Sequence, residues 1–188
     1  MTEHEPVVKS VAESEASTGW HLLKDVIETI VLALLIYAGL RLFVRNFRID
    51  GSSMEPSLHH GQLIVIARWS YWLQTPERGD IVVFRAPSAK NRDLIKRVIG
   101  LPGEQIEIRE SQVFVNGEQI QEPYVLPDQY TGGPWTLGEH ELFVMGDNRG
   151  RSQDSRSWGP LEDSRIVGKG LVCYWPPRLW GLVPHHKF

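Results

Sequence analysis

The sequence predicts an all-β domain behind a single amino-terminal membrane helix. From residue 49 onward, short runs rich in valine, isoleucine and aromatic residues alternate with turns. The 12 prolines and 17 glycines support this interpretation, because both residues interrupt regular elements. Before these runs, residues 26–44 are almost entirely apolar. We therefore predict a polar tail at 1–22, a transmembrane anchor at 23–44 and a β-rich domain at 45–188.

The amino-terminal part of the chain combines a polar segment with an apolar one. Residues 1–20 are polar and acidic without steady periodicity, which predicts a mobile tail. As a helix, the run 26–44 would extend about 28 Å, close to the roughly 30 Å of a bilayer's hydrocarbon core. Its uncharged part, 29–40, is short, so a buried core helix or a cleavable signal sequence stays an alternative. Arginines follow the run in place of a small-x-small cleavage pattern, which favours a retained anchor.

The charges beside the apolar run do not settle its orientation. Arg41, Arg45 and Arg48 stand at its carboxyl side, whereas Lys9 and Lys24 precede it. The positive-inside rule would then keep the β-rich domain in the cytoplasm. Arginines at the interface can also extend to lipid headgroups, so this small bias leaves both orientations open.

Six runs of the second half predict strands that assemble into antiparallel sheets. They lie at 62–68, 80–85, 93–99, 104–110, 141–146 and 166–175. Asn116 and Gly117 separate two further short runs, which is typical of a tight hairpin turn. The single cysteine, Cys173, lies in an apolar run and is predicted to be a small buried residue.

Composition excludes several classes of function. The net charge of −3 and the lack of a concentrated basic segment argue against a nucleic-acid partner. His140 and Glu141 are followed by no second histidine at the spacing of a zinc site. We therefore expect neither a metal nor a nucleic acid to bind.

Residues 51–58, GSSMEPSL, place two serines in a predicted turn. A histidine base for either serine is disfavoured, because the seven histidines lie in terminal segments and predicted turns. Lys96 has a better setting, since strand alternation puts it on one face with Leu94 and Val98. Burial there would lower its pKa and make it a base. An exposed edge-strand lysine is the alternative.

Three motifs together resemble the catalytic boxes of bacterial and plastid type I signal peptidases. They are SMEPSL, KRVIGLPG and GDNRGRSQDSRSWG, and they stand in the family's order behind an apolar segment. RGDIVVFRAP resembles the strand between the first two boxes, so the resemblance covers most of residues 46–175. It implies a coiled antiparallel β-sheet domain that cleaves exported pre-proteins after a small-x-small motif, without a cofactor.

The resemblance also implies roles for individual residues. Ser53 corresponds to the nucleophile and Lys96 to the general base, which together form a Ser-Lys dyad. Ser152 corresponds to a serine that helps orient the lysine. Asp154 and Arg156 correspond to a structural ion pair near the site.

Two further expectations concern the surroundings of Ser53. Some family members carry a serine where this chain has Gly51, so the oxyanion should depend on the Ser53 backbone N–H, and we expect Gly51→Ser to be tolerated. An apolar pocket that accepts alanine is expected, although each of its residues could equally be ordinary core. The pocket residues are Met54, Leu58, Leu94 and Ile95.

The resemblance finally implies partners and a location. We expect pre-proteins and the lipid bilayer as partners, with the amino terminus cytoplasmic or stromal and the catalytic domain extracytoplasmic. Trp69, Tyr71 and Trp72 lie in an aromatic stretch, 67–73, that fits the lipid interface or the core. A self-cleaving repressor with related Ser-Lys chemistry and a non-enzymatic anchored β-domain are the alternative classes.

Overall fold

The computed structural model describes residues 5–87 and 92–188. The chain separates into two compact units, Met1–Leu42 and Phe43–Phe188. The first consists of helix α1, which spans Glu5–Phe43 and so reaches one residue into the second unit. The second holds the strands and two short helices, α2 (Ser70–Leu73) and α3 (Ser155–Trp158).

Helix α1 differs from the prediction for the amino-terminal segment. The chain is helical from Glu5 onward, within the part predicted as a mobile tail, whereas residues 1–4 lie outside the described residues. Pro6 falls in the first turn, where its missing N–H costs no helical hydrogen bond, and the glutamates and alanines that follow are good helix formers. Polar composition is therefore compatible with a helix here. Within the ranges described, no helix is both long and apolar enough to cross a bilayer.

Antiparallel strands make up the second unit, which confirms the prediction of an all-β domain. Along the described residues these are β1 (Val44–Arg48), β2 (Leu63–Ala67), β3 (Ile81–Arg85), β4 (Asp93–Gly100), β5 (Gln105–Arg109), β6 (Gln112–Val115), β7 (Glu118–Gln119), β8 (Gly132–Thr136), β9 (Glu141–Met145), β10 (Leu161–Glu162), β11 (Ile166–Trp175) and β12 (Gly181–Leu182). The larger sheet has the order β1-β2-β11-β3-β4-β9-β10, with β12 paired to β11. The smaller sheet has the order β7-β6-β5-β8.

The six predicted strands correspond to β2, β3, β4, β5, β9 and β11. The hairpin turn between β6 and β7 is also confirmed, since Asn116 and Gly117 both have positive φ. Strand β8 was not predicted, because it lies in a long connection rich in proline and glycine. Register shifts in β11 against β2 and β3, and in β4 against β9, bend and twist the larger sheet.

One core cluster holds the segment that carries Ser53. Cys173 lies in this cluster, which confirms that it is a small buried residue. Burial of each large apolar side chain contributes roughly 1.5 to 3 kcal/mol, so the cluster fixes the turn before β2 firmly to the larger sheet. Its members are Ile49, Met54, Leu58, Ile64, Ile66, Ile81, Val83, Ile95, Cys173 and Val183.

Candidate active site

The turn that carries Ser53 is anchored on both sides of the hydroxyl. Met54 and Leu58 are only 1% and 2% exposed, and the Leu58 N–H donates to the Met54 carbonyl at 2.8 Å. The Ser53 carbonyl accepts a hydrogen bond from the Asn148 N–H at 3.1 Å. The serine backbone therefore has little freedom, while its side chain remains half-buried at a cavity wall.

Strand β4 brings the Lys96 amine to this hydroxyl. The Lys96 Nζ lies 2.8 Å from Ser53 Oγ, a distance that fits a hydrogen bond in either direction. The amine also donates to the Ile95 backbone carbonyl at 2.8 Å. With the lysine 3% exposed, these two contacts fix the position of its nitrogen.

Burial lowers the pKa of the Lys96 amine from 10.5 to about 8. The negative charges of Asp154 and Asp147 raise this pKa, whereas the positive charges of Arg92 and Arg156 lower it. Desolvation is the largest of these effects. At pH 7 about a tenth of such amines are neutral and able to accept a proton.

Arg97, the next residue of β4, is as buried as Lys96 but has several partners. Its guanidinium donates to both Asp147 carboxylate oxygens, at 2.9 and 2.7 Å. It also donates to the Gly79 and Pro184 carbonyls at 3.0 Å and lies 4.0 Å from the centre of the Tyr124 ring. Lys96 and Arg97 are thus both buried, but among the described residues only Arg97 forms a direct ion pair with a carboxylate.

Asp154 and Arg156 form an ion pair behind the lysine. Arg156 donates to the two Asp154 carboxylate oxygens at 2.8 and 2.9 Å. The Gly146 N–H donates to the same carboxylate at 3.0 Å. Burial raises the pKa of Asp154, but the hydrogen bonds and charge of Arg156 outweigh it and hold this pKa below its usual value. The carboxylate is therefore ionised at neutral pH.

Ser152 is buried beside the same segment, and its hydroxyl is near enough to the Asp154 carboxylate to help lower the pKa of that group, although the pair does not reach full hydrogen-bond geometry. A side chain at Gly146 would collide with this hydroxyl and with the Ser53 carbonyl, so the three residues are closely packed. The Lys96 amine instead shares a hydrogen bond with the Ser53 hydroxyl and donates one to the Ile95 carbonyl. The role of Ser152 in orienting the lysine therefore stays a prediction.

Two cavities, of about 410 and 200 Å³, open at Ser53 and Lys96. Leu94 lines both cavities, and Ile95, which also belongs to the core cluster, lines the smaller one. Their place in a substrate pocket stays a prediction. The other two residues predicted to line that pocket, Met54 and Leu58, lie in the core cluster and line neither cavity. Their alternative interpretation as core fits this placement, because they anchor the turn.

Three arginines line these cavities that the sequence analysis did not predict as site residues. Arg92 lines both cavities, Arg151 the larger one and Arg48 the smaller one. They come from three separate segments, so no motif joins them. Arg151 alone lies inside one of the three boxes, where it stood unassigned.

Gly51 has a backbone conformation that the sequence did not reveal. Its φ is +94°, in the region that favours glycine, although open space surrounds the position of a Cβ. Its N–H donates to His60 Nδ1 at 3.0 Å. A serine there would strain the backbone, so Gly51→Ser should lower stability, while the expectation that this variant is tolerated in turnover stays a prediction.

The aromatic stretch 67–73 divides between surface and interior. Tyr71 packs against a core cluster and donates from its hydroxyl to Asp80 at 3.0 Å. Trp69 is 43% exposed. The Trp72 side chain lies outside the described residues. Of the two interpretations, Tyr71 thus fits the core and Trp69 the surface.

The family model described as "Signal peptidase, peptidase S26" matches residues 23–175. The chain belongs to this family. The resemblance to type I signal peptidases is therefore confirmed, and the S26 peptidase is an enzyme, which excludes the non-enzymatic alternative.

Two sequence relatives agree with this assignment. The S26 peptidase is 37% identical over 190 residues to a "Probable signal peptidase I-2" of Synechocystis sp., covering 97% of this chain and 86% of that protein. It is 40% identical over 161 residues to a signal peptidase I of Bacillus caldolyticus, covering 77% and 87%. A crystal structure of a signal peptidase I from Enterococcus faecalis V583 is 32% identical with a TM-score of 0.46, covering 51% of this chain and 97% of that one.

Proposed function

We propose that this S26 peptidase removes signal peptides from exported pre-proteins, with Ser53 as nucleophile and Lys96 as general base. The observation that carries the proposal is the 2.8 Å distance between Lys96 Nζ and Ser53 Oγ inside a buried setting. The relatives' names, signal peptidase I, support the class of substrate.

In the first step, Ser53 Oγ attacks the carbonyl carbon of the scissile peptide bond. The neutral Lys96 amine takes the hydroxyl proton and becomes an ammonium ion. A pKa near 8 supports this role, because such an amine is partly neutral and still basic enough to accept a proton. The hydrogen bond to the Ile95 carbonyl keeps the amine in line with the serine.

The Ser53 backbone N–H stabilises the oxyanion that forms on the substrate. Among the described residues this N–H donates to no other acceptor, so it is available to a substrate. Gly51 offers no side-chain hydroxyl, which makes the main-chain donor more important. Loss of one such donor costs on the order of 10² to 10³ in rate in other serine proteases.

In the second half of the reaction, the Lys96 ammonium returns its proton to the leaving amine as the peptide bond breaks. The signal peptide is then joined to Ser53 as an ester. Lys96 next takes a proton from a water molecule, which attacks the ester and releases the signal peptide. Serine regains its proton, so the enzyme is restored without a metal or a cofactor.

Leu94 and Ile95 provide the apolar contacts for a small substrate side chain. Leu94 lines both cavities at Ser53 and Ile95 lines the smaller one, and both come from the strand that carries the base. The ion pair of Asp154 and Arg156 supports the site from behind by neutralising a buried carboxylate near the amine. A small-x-small motif fits this shallow apolar wall.

The apolar part of α1, within residues 23–44, holds the peptidase in a bilayer. Its large apolar side chains between Val26 and Tyr37 are 49% to 65% exposed. Eight consecutive residues, 30–37, cover every face of the helix, and such a surface is costly in water but favourable in lipid. The catalytic domain lies on the extracytoplasmic side, where exported pre-proteins emerge.

The dyad is tested by cleavage of a pre-protein with a small-x-small site in detergent. Ser53→Ala and Lys96→Met should each lower kcat/KM by at least about 10³-fold, because each removes a partner of the proton transfer. Ser52→Ala is the matched control and should keep activity near that of the parent. Normal turnover by both dyad variants would disprove the assignment.

The location is tested by protease treatment of sealed vesicles that contain the full chain. Cleavage of the catalytic domain from its extracytoplasmic side, with the amino terminus protected, is the expected result. Protection of the catalytic domain in right-side-out vesicles, whose extracytoplasmic face is outward, would exclude this orientation. Release of the whole chain by alkaline extraction would exclude the anchor.

A further inference from the structure

A further cavity lies apart from Ser53, which is not among the residues that line it. It encloses about 500 Å³, a volume typical of ligand sites. It shares no lining residue with the larger cavity at the dyad. Four arginines line it, Arg45, Arg68, Arg85 and Arg165, and we call it the arginine groove.

The arginine groove follows from the topology of the larger sheet. Strand β1 begins where β2 ends, and β11 begins where β3 ends. Arg45 is the second residue of β1, Arg68 follows β2, Arg85 ends β3 and Arg165 precedes β11. Because neighbouring strands are antiparallel, all four positions fall at one edge of the sheet. The four charges converge although they are far apart in sequence.

Carboxylates neutralise the positive charge of these four arginines only in part. Arg45 lies 3.2 Å from Asp93, and Arg165 lies 3.8 Å from Glu162. The latter pair is long and exposed, and such pairs contribute little.

Arg68 and Arg85 are the two arginines left for a ligand. Within the described ranges, no carboxylate lies within ion-pair distance of Arg68 or Arg85. Asp163 is the single acidic residue among those lining the cavity, and its carboxylate contacts His140 at 3.0 Å. The groove is therefore positively charged and suited to an anion.

The neighbourhood of the groove indicates what kind of anion it meets. Arg45 comes two residues after the end of α1, and Trp69, which follows Arg68, is 43% exposed. Arginine and tryptophan close to the end of a membrane helix are typical of the level of lipid phosphates. The hydroxyl and amide groups of Thr75, Ser164 and Gln74 offer further hydrogen bonds.

We propose that the arginine groove binds the phosphate of an anionic phospholipid headgroup. This proposal rests on the proposed anchoring of α1 in a bilayer. Arginine guanidinium groups bind phosphate oxygens through paired hydrogen bonds, so a phosphodiester fits the donors that converge here. Bound lipid would hold the sheet edge at the membrane surface.

The test uses the full chain in dodecylmaltoside micelles and measures its thermal unfolding midpoint. Increasing fractions of phosphatidylglycerol should raise the midpoint in a saturable way, because a ligand that binds the folded state stabilises it. Phosphatidylcholine, a neutral lipid, should have no such effect. Inorganic phosphate at the same concentration should give a much weaker one.

Arg68→Gln/Arg85→Gln should raise the half-saturating fraction of phosphatidylglycerol about 30-fold. The matched control, Arg109→Gln/Arg178→Gln, removes the same charge from exposed positions outside the groove and should leave half-saturation unchanged. Equal weakening in both double variants, no saturable effect of phosphatidylglycerol, or an equal effect of inorganic phosphate would each overturn the proposal.

Peptide cleavage in lipid-free micelles separates this proposal from the proposed function. The groove variant should cleave a soluble signal-peptide substrate at the parent rate in dodecylmaltoside alone. If the parent itself fails to cleave, the proposed function fails, while the lipid titration still decides the groove.

Discussion

Lys96 and Arg97 are neighbours on one strand and equally buried, yet their surroundings are opposite. Lys96 faces a cavity, contacts a hydroxyl and a carbonyl, and has a lowered pKa. Arg97 is enclosed by the Asp147 carboxylate, two carbonyls and an aromatic ring. Burial alone therefore does not make a cation reactive. Without a directly paired carboxylate in the described ranges, Lys96 suits the proposed role of general base, whereas Arg97 joins parts of the fold.

The largest expected effect is on stability, at Arg97. Arg97→Met should lower the free energy of unfolding by about 3 to 5 kcal/mol, because it leaves the buried Asp147 carboxylate unpaired. Urea denaturation of the detergent-solubilised chain, followed by tryptophan fluorescence, measures it. Arg109→Met is the control, since its ion pair with Glu107 is exposed and should contribute under about 1 kcal/mol. A similar loss of unfolding free energy in both variants would show that the buried ion pair contributes no more than the exposed one.

Lys96→Met should act in the opposite direction and raise stability by about 2 to 3 kcal/mol at pH 7. The folded state disfavours the ammonium ion, so this penalty is complete below pH 8 and disappears as pH rises to 10.5. The same denaturation series at pH 7, 9 and 10.5 should therefore show a shrinking advantage of the variant. Lys187→Met, at an exposed position, should change stability by less than about 0.5 kcal/mol at each pH. A destabilised Lys96→Met chain at pH 7 would refute the desolvation argument.

Gly51→Ser tests the turn that carries Ser53, at the cavity that Lys96 faces. The positive φ should cost about 1 to 2 kcal/mol of stability, measured as above. Gly181→Ser is the matched control, because Gly181 also has open space around its Cβ position but no positive φ. The control should lose less than about 0.5 kcal/mol. Equal stability of the two variants would show that the turn adapts.

The smallest expected effect is on the pH dependence of kcat/KM. The rate should rise with pH around 8 as Lys96 loses its proton. Arg92→Gln should move this inflection to higher pH by a few tenths of a unit, because the Arg92 charge lowers the pKa of Lys96. Arg109→Gln should leave the inflection in place. A shift to lower pH in Arg92→Gln would reverse the assigned electrostatic effect.

The parts of the fold predicted from sequence are those whose pattern is local. Strands β3 and β4 are rich in β-branched and apolar residues, and the turn at Asn116 needs a residue pair that tolerates positive φ. Ser53 and Lys96 were selected by resemblance to family motifs, with strand alternation in support of Lys96. Their distance of 2.8 Å depends on pairing between segments 43 residues apart, which no local pattern contains.

Other features depend on contacts that the sequence does not display. The strand pattern around Arg97 would fit an exposed arginine equally well. Its burial depends on the ion pair with Asp147, which comes from a distant segment. Met54 and Leu58 are apolar beside a nucleophile candidate, so a pocket and a core were equally reasonable. The conformation of Gly51 depends on the path of the backbone between β1 and β2.

The bond from the Asn148 N–H to the Ser53 carbonyl has a consequence for the order in which the protein is made. Ser53, the proposed nucleophile, is translated nearly a hundred residues before the segment that fixes its backbone. A growing chain on the ribosome therefore has no complete proteolytic centre until the segment containing Asn148 and Arg156 has emerged. The apolar part of α1 leaves the ribosome well before that point, so under the proposed anchoring the chain reaches its bilayer before it is able to cut.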